Sequence, residues 1–281
     1  MNQNPVISII TSVYNLEAYL AETLDSIKNQ TYSSWECIII NDGSTDSTEE
    51  IALNYCKADA RFHYFYQENK GISAARNYGI AQSKGEYILP LDGDDLIMPP
   101  YCEEAIRVFK TDPDVKMVTC EGEYFGDAEG KIKVEAYSFS HLLYHNLFFC
   151  TSFFKRFDYD KTGGFDASFS LGEDWDFWLS LLHEEDKVIC LPYNYFRYRV
   201  RKTSIMRTYD EEDKKKLFIH MVAKHKEVYD RMINPIEILQ QLHEFKEKAS
   251  YWEGRYNRLT QSFLFKIFLT PLQMIYRKLK A

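Results

Sequence analysis

Apolar runs and helix-spaced segments alternate through the first 120 residues, and that alternation restricts the fold more than any other feature of the chain. Val6 to Thr11, Trp35 to Ile40, Phe62 to Tyr66, Tyr87 to Leu91 and Val115 to Cys120 read as short buried strands. Between them, Leu16 to Asn29, Ser44 to Cys56, Ile72 to Gln82 and Pro99 to Phe109 carry apolar residues at helical spacing. Strands alternating with helices predict an α/β fold, a mostly parallel sheet covered by helices. In such a sheet ligands bind beyond the carboxyl ends of the strands. The loops at those ends hold the most distinctive polar clusters of the first half: Ser12-Val13-Tyr14-Asn15, Asn41-Asp42-Gly43-Ser44, Gln67 to Gly71 and Asp92 to Asp95.

The last cluster, Asp92-Gly93-Asp94-Asp95, follows the apolar run Tyr87 to Leu91. Three carboxylates at the exit of a buried strand repel one another and are costly to desolvate unless something neutralises them. A hard divalent cation, Mg²⁺ or Mn²⁺, meets that need with carboxylate oxygens and substrate phosphate oxygens as ligands. Gly93 is expected to give the turn its backbone freedom. Asp42 is a carboxylate suited to the imide N–H of a uracil ring, and its loop also caps a helix. Lys70 and Arg76 bring cations and a helix N-terminus to the same rim, both suited to a diphosphate.

Composition narrows the class. A net charge of −8 over 281 residues argues against broad nucleic-acid binding, but not against a nucleotide held through a metal. The six cysteines are scattered without a C-x-x-C, so reduced thiols and a cytoplasmic location are expected. Residues 1–5 run directly into the first strand, which leaves no room for a signal peptide, and no apolar stretch reaches the length of a transmembrane helix. From Glu121 to Phe157 the pattern turns irregular and aromatic, the kind of segment that builds a second substrate's site. Glu173-Asp174-Trp175-Asp176-Phe177-Trp178 opens a further helix running to about His183, while Lys187 to Leu191 and Tyr195 to Val200 read as two strands. The domain boundary is expected at residues 208 and 209, with a helical C-terminal extension from 209 to 281.

In their order and spacing these motifs resemble the family-2 inverting glycosyltransferases, which have the GT-A Rossmann-like fold. The resemblance rests on Thr11-Ser12-Val13-Tyr14-Asn15, Asn41 to Asp46, Asn69-Lys70-Gly71 with Ala75-Arg76-Asn77, Asp92 to Asp95, and Gly163 to Asp166 with Glu173-Asp174. It implies a metal-dependent transfer of a sugar from a nucleotide-sugar, most often UDP-linked, to an acceptor hydroxyl of a surface polysaccharide or lipid-linked glycan. It further implies nucleotide contacts at Thr11, Tyr14, Asp42 and Asp92, and a metal ligand at Asp94, with Asp95 taking either part. Asp174 matches the catalytic base, although Glu173 and Asp176 are chemically able to serve. Trp175 and Trp178 either floor the sugar site or belong to the core. Arg201, in the basic run Arg197 to Lys202, stands where many relatives carry histidine, which favours phosphate contact over metal ligation. A nucleotidyltransferase and a non-catalytic nucleotide- or glycan-binding module are the alternatives; the first lacks a glycine in Ser12 to Asn15.

Two C-terminal segments remain. Ile236 to Tyr256 carries an amphipathic stripe that is expected to pack on the catalytic domain or on a second subunit as a homodimer contact. Gln261 to Ala281 is apolar and basic with no acidic residue, which reads either as a peripheral helix on the inner face of an anionic membrane or as a core or dimer helix.

Overall fold

A computed structural model of the chain describes residues 5–201 and 210–232. The C-terminal stripe and the basic apolar end expected from the sequence lie outside them. The chain divides into two compact units, Met1–Arg207 and Thr208–Ala281.

Among the described residues the first unit is built on a nine-stranded sheet with helices against it. Its centre is parallel. Strand β1 (Ile7–Val13) lies between β2 (Trp35–Asp42) and β4 (Tyr87–Pro90), and β3 (Phe62–Gln67) pairs on the far side of β2. Every residue of β1, β2 and β4 is buried, because helices α1 (Leu20–Lys28), α2 (Thr48–Ala58) and α3 (Ile72–Gln82) leave no sheet face open to water. Edge strand β3 buries only Phe62 fully, which meets Trp35 edge to face at 5.3 Å. Helix α4 (Tyr101–Thr111) buries Tyr101, Cys102, Ala105, Ile106 and Phe109, one face at helical spacing.

Beyond β4 the sheet changes character. β8 (Phe153–Lys155) runs antiparallel to both β4 and β6 (Val115–Gly126), β9 (Lys187–Val200) pairs parallel to β6, and β5 (Leu96–Ile97) and β7 (Gly130–Ile132) add antiparallel edges. The sheet is therefore mixed, parallel in the half where the sequence alternates strand with helix. The two strands expected at 187–191 and 195–200 are one strand. Pro192 cannot donate to a ladder, and the register shifts there, from Cys120↔Leu191 to Glu121↔Asn194, so that the chain bulges past it. The segment expected to be irregular also holds the outer part of β6, β7, β8 and the short helix α5 (Phe139–Leu142).

Short helix α6 (Arg156–Tyr159) follows β8, and α7 (Glu173–Leu181) then carries the acidic motif. Phe177 and Trp178 of α7 are fully buried among Phe154, Tyr159 and Phe165, with Phe165 stacked on Phe177 at 4.3 Å. Burying a phenylalanine of this kind contributes about 1.5–3 kcal/mol, which seats the helix firmly. Trp175 is buried too, and its indole N–H donates to the Leu142 carbonyl at 2.6 Å, so both tryptophans belong to the core.

In the second unit, α8 (Glu211–Lys224) starts with a capping box, in which the Asp210 carboxylate accepts the backbone N–H of Glu212 and Asp213. Phe218 meets Tyr229 of α9 (Lys226–Met232) edge to face at 6.1 Å.

Candidate active site

Two neighbouring groups of loops form the rim at the carboxyl ends of the central strands. On one side the β1–α1 and β2–α2 loops are laced together. Asn15 N–H donates to Ser44 Oγ, Asn15 Oδ1 accepts Thr45 N–H, and across the same gap Glu17 N–H donates to Asp46 Oδ2 while Glu17 Oε2 accepts Ser47 N–H. Leu16 N–H donates to Thr48 Oγ1 at 2.9 Å. This lacing uses residues 44–47, so α2 starts at Thr48 rather than at Ser44 as the sequence suggested.

Asp42 stands at the end of β2, buried. Its Oδ1 accepts Gln67 Nε2 at 2.6 Å and Lys70 N–H at 2.9 Å, and its Oδ2 accepts Gly71 N–H at 2.9 Å. A carboxylate has about four lone-pair positions, so three donors leave one. The residue expected to read a base thus first holds the β3–α3 loop in place. Lys70 contributes its backbone here, and its residue is exposed. Tyr14 stands on the rim, 51% exposed. Thr11 lies a step below, fully buried with its hydroxyl against Cys37 Sγ at 3.6 Å, so its side chain sits in the sheet core and not on the rim.

On the other side the acidic turn after β4 is pressed against β1. Gly93 N–H donates to Ser12 O, and Thr23 Oγ1 donates to Gly93 O. A Cβ on Gly93 would fall 2.5 Å from Val13 Cγ1 and 2.9 Å from Leu16 Cδ1. Glycine is required by this close approach; its φ is not among the positive ones, so the freedom expected of it is not what the turn uses.

The three carboxylates of the turn meet three different partners. Asp92 Oδ1 accepts Arg76 Nη2 at 2.8 Å. Asp94 Oδ2 pairs with Arg201 Nη2 at 2.8 Å. Asp95, 2% exposed, accepts the backbone N–H of Arg199 at 2.8 Å. Arg199 also donates from Nε to the Asp94 carbonyl and pairs with Glu22, pinning the turn to the end of β9. Burial pushes the Asp94 carboxyl up, and the Asp92 charge adds to this against the pull of Arg201. Burial, then Asp94 and Asp92, push Asp95 well above the carboxylate range.

Arg76 is 1% exposed, so its guanidinium is closed off from solvent. Its second arm donates to Glu173 Oε1 at 2.7 Å, so one guanidinium ties the acidic turn to the start of α7. Burial opposes its charge, but the carboxylates of Asp92 and Glu173 hold it firmly protonated. The neighbouring Asn77 clamps the Phe165 backbone from both sides, donating to its carbonyl at 2.7 Å and accepting its N–H at 2.8 Å. The Arg76-Asn77 and Gly163 to Asp166 motifs are thus two halves of one joint.

Gly172, in the left-handed region at φ 69°, turns the chain into α7. Asp174 follows, partly buried, with Oδ1 accepting the Trp175 N–H at 2.8 Å and Oδ2 accepting Asn146 Nδ2 at 3.0 Å. Burial, and then the charge of Glu173, push its carboxyl up to about 7 against Arg76 and these two donors. A helix N-terminus favours the anion by only about 0.3–1 kcal/mol, which is too little to reverse that displacement. Asp176 is fully buried inside the helix packing, and Glu173 is spent on Arg76, which leaves Asp174 as the carboxylate of α7 with a raised basicity. Arg199 and Asn146 carry no short motif; only the i, i+2 spacing of Arg197 and Arg199 on β9 with Arg201 just past its end signals the first.

The acidic turn has the donor chemistry for a hard cation at Asp94. Its carboxylate is partly buried beside Asp92, and a positive charge relieves both burial and repulsion. Asp95 points inward to β9. Among the described residues no group of three or more His, Cys, Asp or Glu side chains converges as a metal sphere, so such an ion would take most of its ligands from a bound diphosphate and water.

Residues 8–172 match the model of glycosyl transferase family 2. The putative glycosyltransferase EpsH of Bacillus subtilis is 41% identical over 122 residues, 43% of this chain and 36% of that protein. The chain spans less than two thirds of the length of the curated relatives it matches. Among solved structures, residues 1–349 of TarS from S. aureus, in complex with UDP-GlcNAc, superpose with a TM-score of 0.65 at 18% identity, over 77% of this chain and 66% of that one. The mannosyltransferase PcManGT from Pyrobaculum calidifontis, in complex with GDP-Man and Mn²⁺, gives 0.60 at 17% identity over 96% and 84%. At these identities the likeness is one of fold.

Proposed function

The chain belongs to glycosyl transferase family 2, and from that premise we propose that it transfers a sugar, with inversion, from a nucleotide-sugar to an acceptor hydroxyl. The observation that carries this reading is Asp174: a carboxylate with raised basicity, fixed by a hydrogen bond on each oxygen, and tied through Glu173 and Arg76 to the acidic turn. An acceptor hydroxyl is a poor nucleophile, and Asp174 takes its proton as the oxygen attacks the anomeric carbon. A base that titrates near neutral pH combines ionisation with driving force for that proton transfer. One displacement assisted by one base inverts the anomeric centre, and no enzyme nucleophile is needed.

The donor lies along the rim. Tyr14 borders the base, and the remaining lone pair of Asp42 accepts an imide N–H, which suits uracil or thymine over cytosine; the fold neighbour in complex with UDP-GlcNAc supports UDP. Asp92 takes the ribose side, and Arg201 turns from Asp94 toward the diphosphate. A divalent cation held by Asp94 supplies Lewis-acid stabilisation of the departing diphosphate when bound; a fold neighbour with Mn²⁺ supports that assignment. Thr11 and Arg76, both buried, act by holding this rim and not by touching the donor, while the exposed Lys70 side chain meets the diphosphate. The acceptor is proposed as a surface polysaccharide or lipid-linked glycan, the class that the resemblance implies.

Calorimetry with UDP, GDP, CDP and dTDP, each with and without Mn²⁺, tests the donor half. Selective, metal-strengthened UDP binding is expected. Selectivity for another nucleotide removes the UDP assignment, selectivity for CDP also removes Asp42 as an imide acceptor, and binding of none removes the transferase reading.

A further inference from the structure

Asn146 lies in the loop between α5 and β8, outside every motif that carried the family resemblance. Its Nδ2 donates to Asp174 Oδ2 at 3.0 Å, the amide orientation that an accepting carboxylate demands, and Oδ1 stands 3.4 Å from the Phe148 N–H, a long contact that agrees with it. The loop is anchored on both sides of this contact, by Trp175 Nε1 on the Leu142 carbonyl and by buried Phe148 packed near Tyr137.

The other groups facing Asp174 are Glu173 on its own helix, Arg76 from α3 and Cys150 from the same loop as Asn146. Arg76 spends its two terminal nitrogens on Asp92 and Glu173, so it acts on Asp174 only through space. The Trp175 N–H is backbone and survives any substitution. Cys150 is buried with its thiol pushed up by that burial, so it stays neutral. Among the described residues, the side chain that bonds the Asp174 carboxylate directly is therefore Asn146.

We propose that Asn146 is the positioning residue of the general base: its amide fixes the rotation of the Asp174 carboxylate, favours its ionised form, and leaves one lone pair of Oδ2 for the acceptor hydroxyl. The proposal rests on reading Asp174 as the base. A hydrogen bond to the charged form of a carboxylate lowers its pKa, so losing the donor raises it.

The test follows the ¹³C-labelled carboxyl signal of Asp174 from about pH 4 to about pH 10 in the full chain, the signal being assigned by its loss in Asp174→Asn. Relative to wild type, Asn146→Ala moves the midpoint up by about one pH unit. Asn146→Asp, which replaces the donor with a like charge, moves it further. The acidic limb of UDP release from a UDP-sugar moves with it. Asn146 is exposed, so both variants are expected to keep the wild-type near-UV spectrum. Identical midpoints in all three proteins overturn the proposal, since a merely structural residue leaves the titration in place. If the midpoints shift while no UDP-sugar turns over, the transferase reading fails and the role of Asn146 toward Asp174 stands.

Discussion

The two sides of the rim are held by different forces. The side formed by the β1–α1, β2–α2 and β3–α3 loops is stitched by short-range polar bonds, Asn15 to Ser44 and Thr45, Glu17 to Asp46 and Ser47, and Asp42 to the backbone of Lys70 and Gly71. The acidic side is held by charge across long stretches of chain: Arg76 to Glu173, Arg199 to the Asp94–Asp95 backbone and carboxylate, and Arg201 to Asp94. Stitching to backbone N–H groups, through carboxylates as well as neutral side chains, makes a rigid frame that needs no paired cation. Buried charge pairs give a site whose members depend on one another, so that removing one leaves its partner uncompensated.

The largest break in that contrast is Arg76→Met. It leaves Asp92 and Glu173 without their shared cation, and the expected loss is about 3–5 kcal/mol in urea unfolding, with a large fall in any transfer activity. A loss below about 1 kcal/mol would place the pairs in the class of screened surface contacts. The matching change on the stitched side, Asp42→Asn, keeps one acceptor oxygen and puts a donor against a backbone N–H. About 1–2 kcal/mol is expected, and the Asp174 titration stays where it is. If it moved, the two sides would be one electrostatic unit.

A smaller effect sharpens the account of Asp174. Its folded pKa, about 7, lies above the ordinary unfolded value of about 3.9. The folded state therefore holds this proton more tightly, and the stability Asp174 contributes is complete below the unfolded value and declines as pH rises toward 7. Asp174→Asn removes the decline. At neutral pH its Tm is expected about 2–4 °C above wild type, and at pH 4 the two converge; differential scanning calorimetry at both pH values checks this.

The same contrast decides what the sequence could reveal. The fully buried strands β1 and β2 read as apolar runs because helices cover both sheet faces, and α3 was legible to its bounds. Short loops such as Asn41 to Asp46 announce themselves because part of their bonding is local, Ser44 N–H to Asn41 Oδ1 and Thr48 N–H to Asp46 Oδ1. The partners of Arg76 were not legible: an arginine on a helix reads as a surface cation until the fold brings Glu173, 97 residues away, against it. Pro192 split β9 into two apparent strands because a bulge leaves no local mark. Asn146 stands in an irregular segment where nothing periodic could point to it.

The most direct measurement compares UDP release from a UDP-sugar, in the presence of acceptor glycan and Mn²⁺, between wild type and Asp174→Asn, with UDP affinity measured by calorimetry on both. The account predicts a fall in turnover of about 10²–10⁴-fold with UDP affinity retained. Turnover unchanged in the variant, or UDP binding lost together with it, would contradict Asp174 as the base of a nucleotide-sugar transferase.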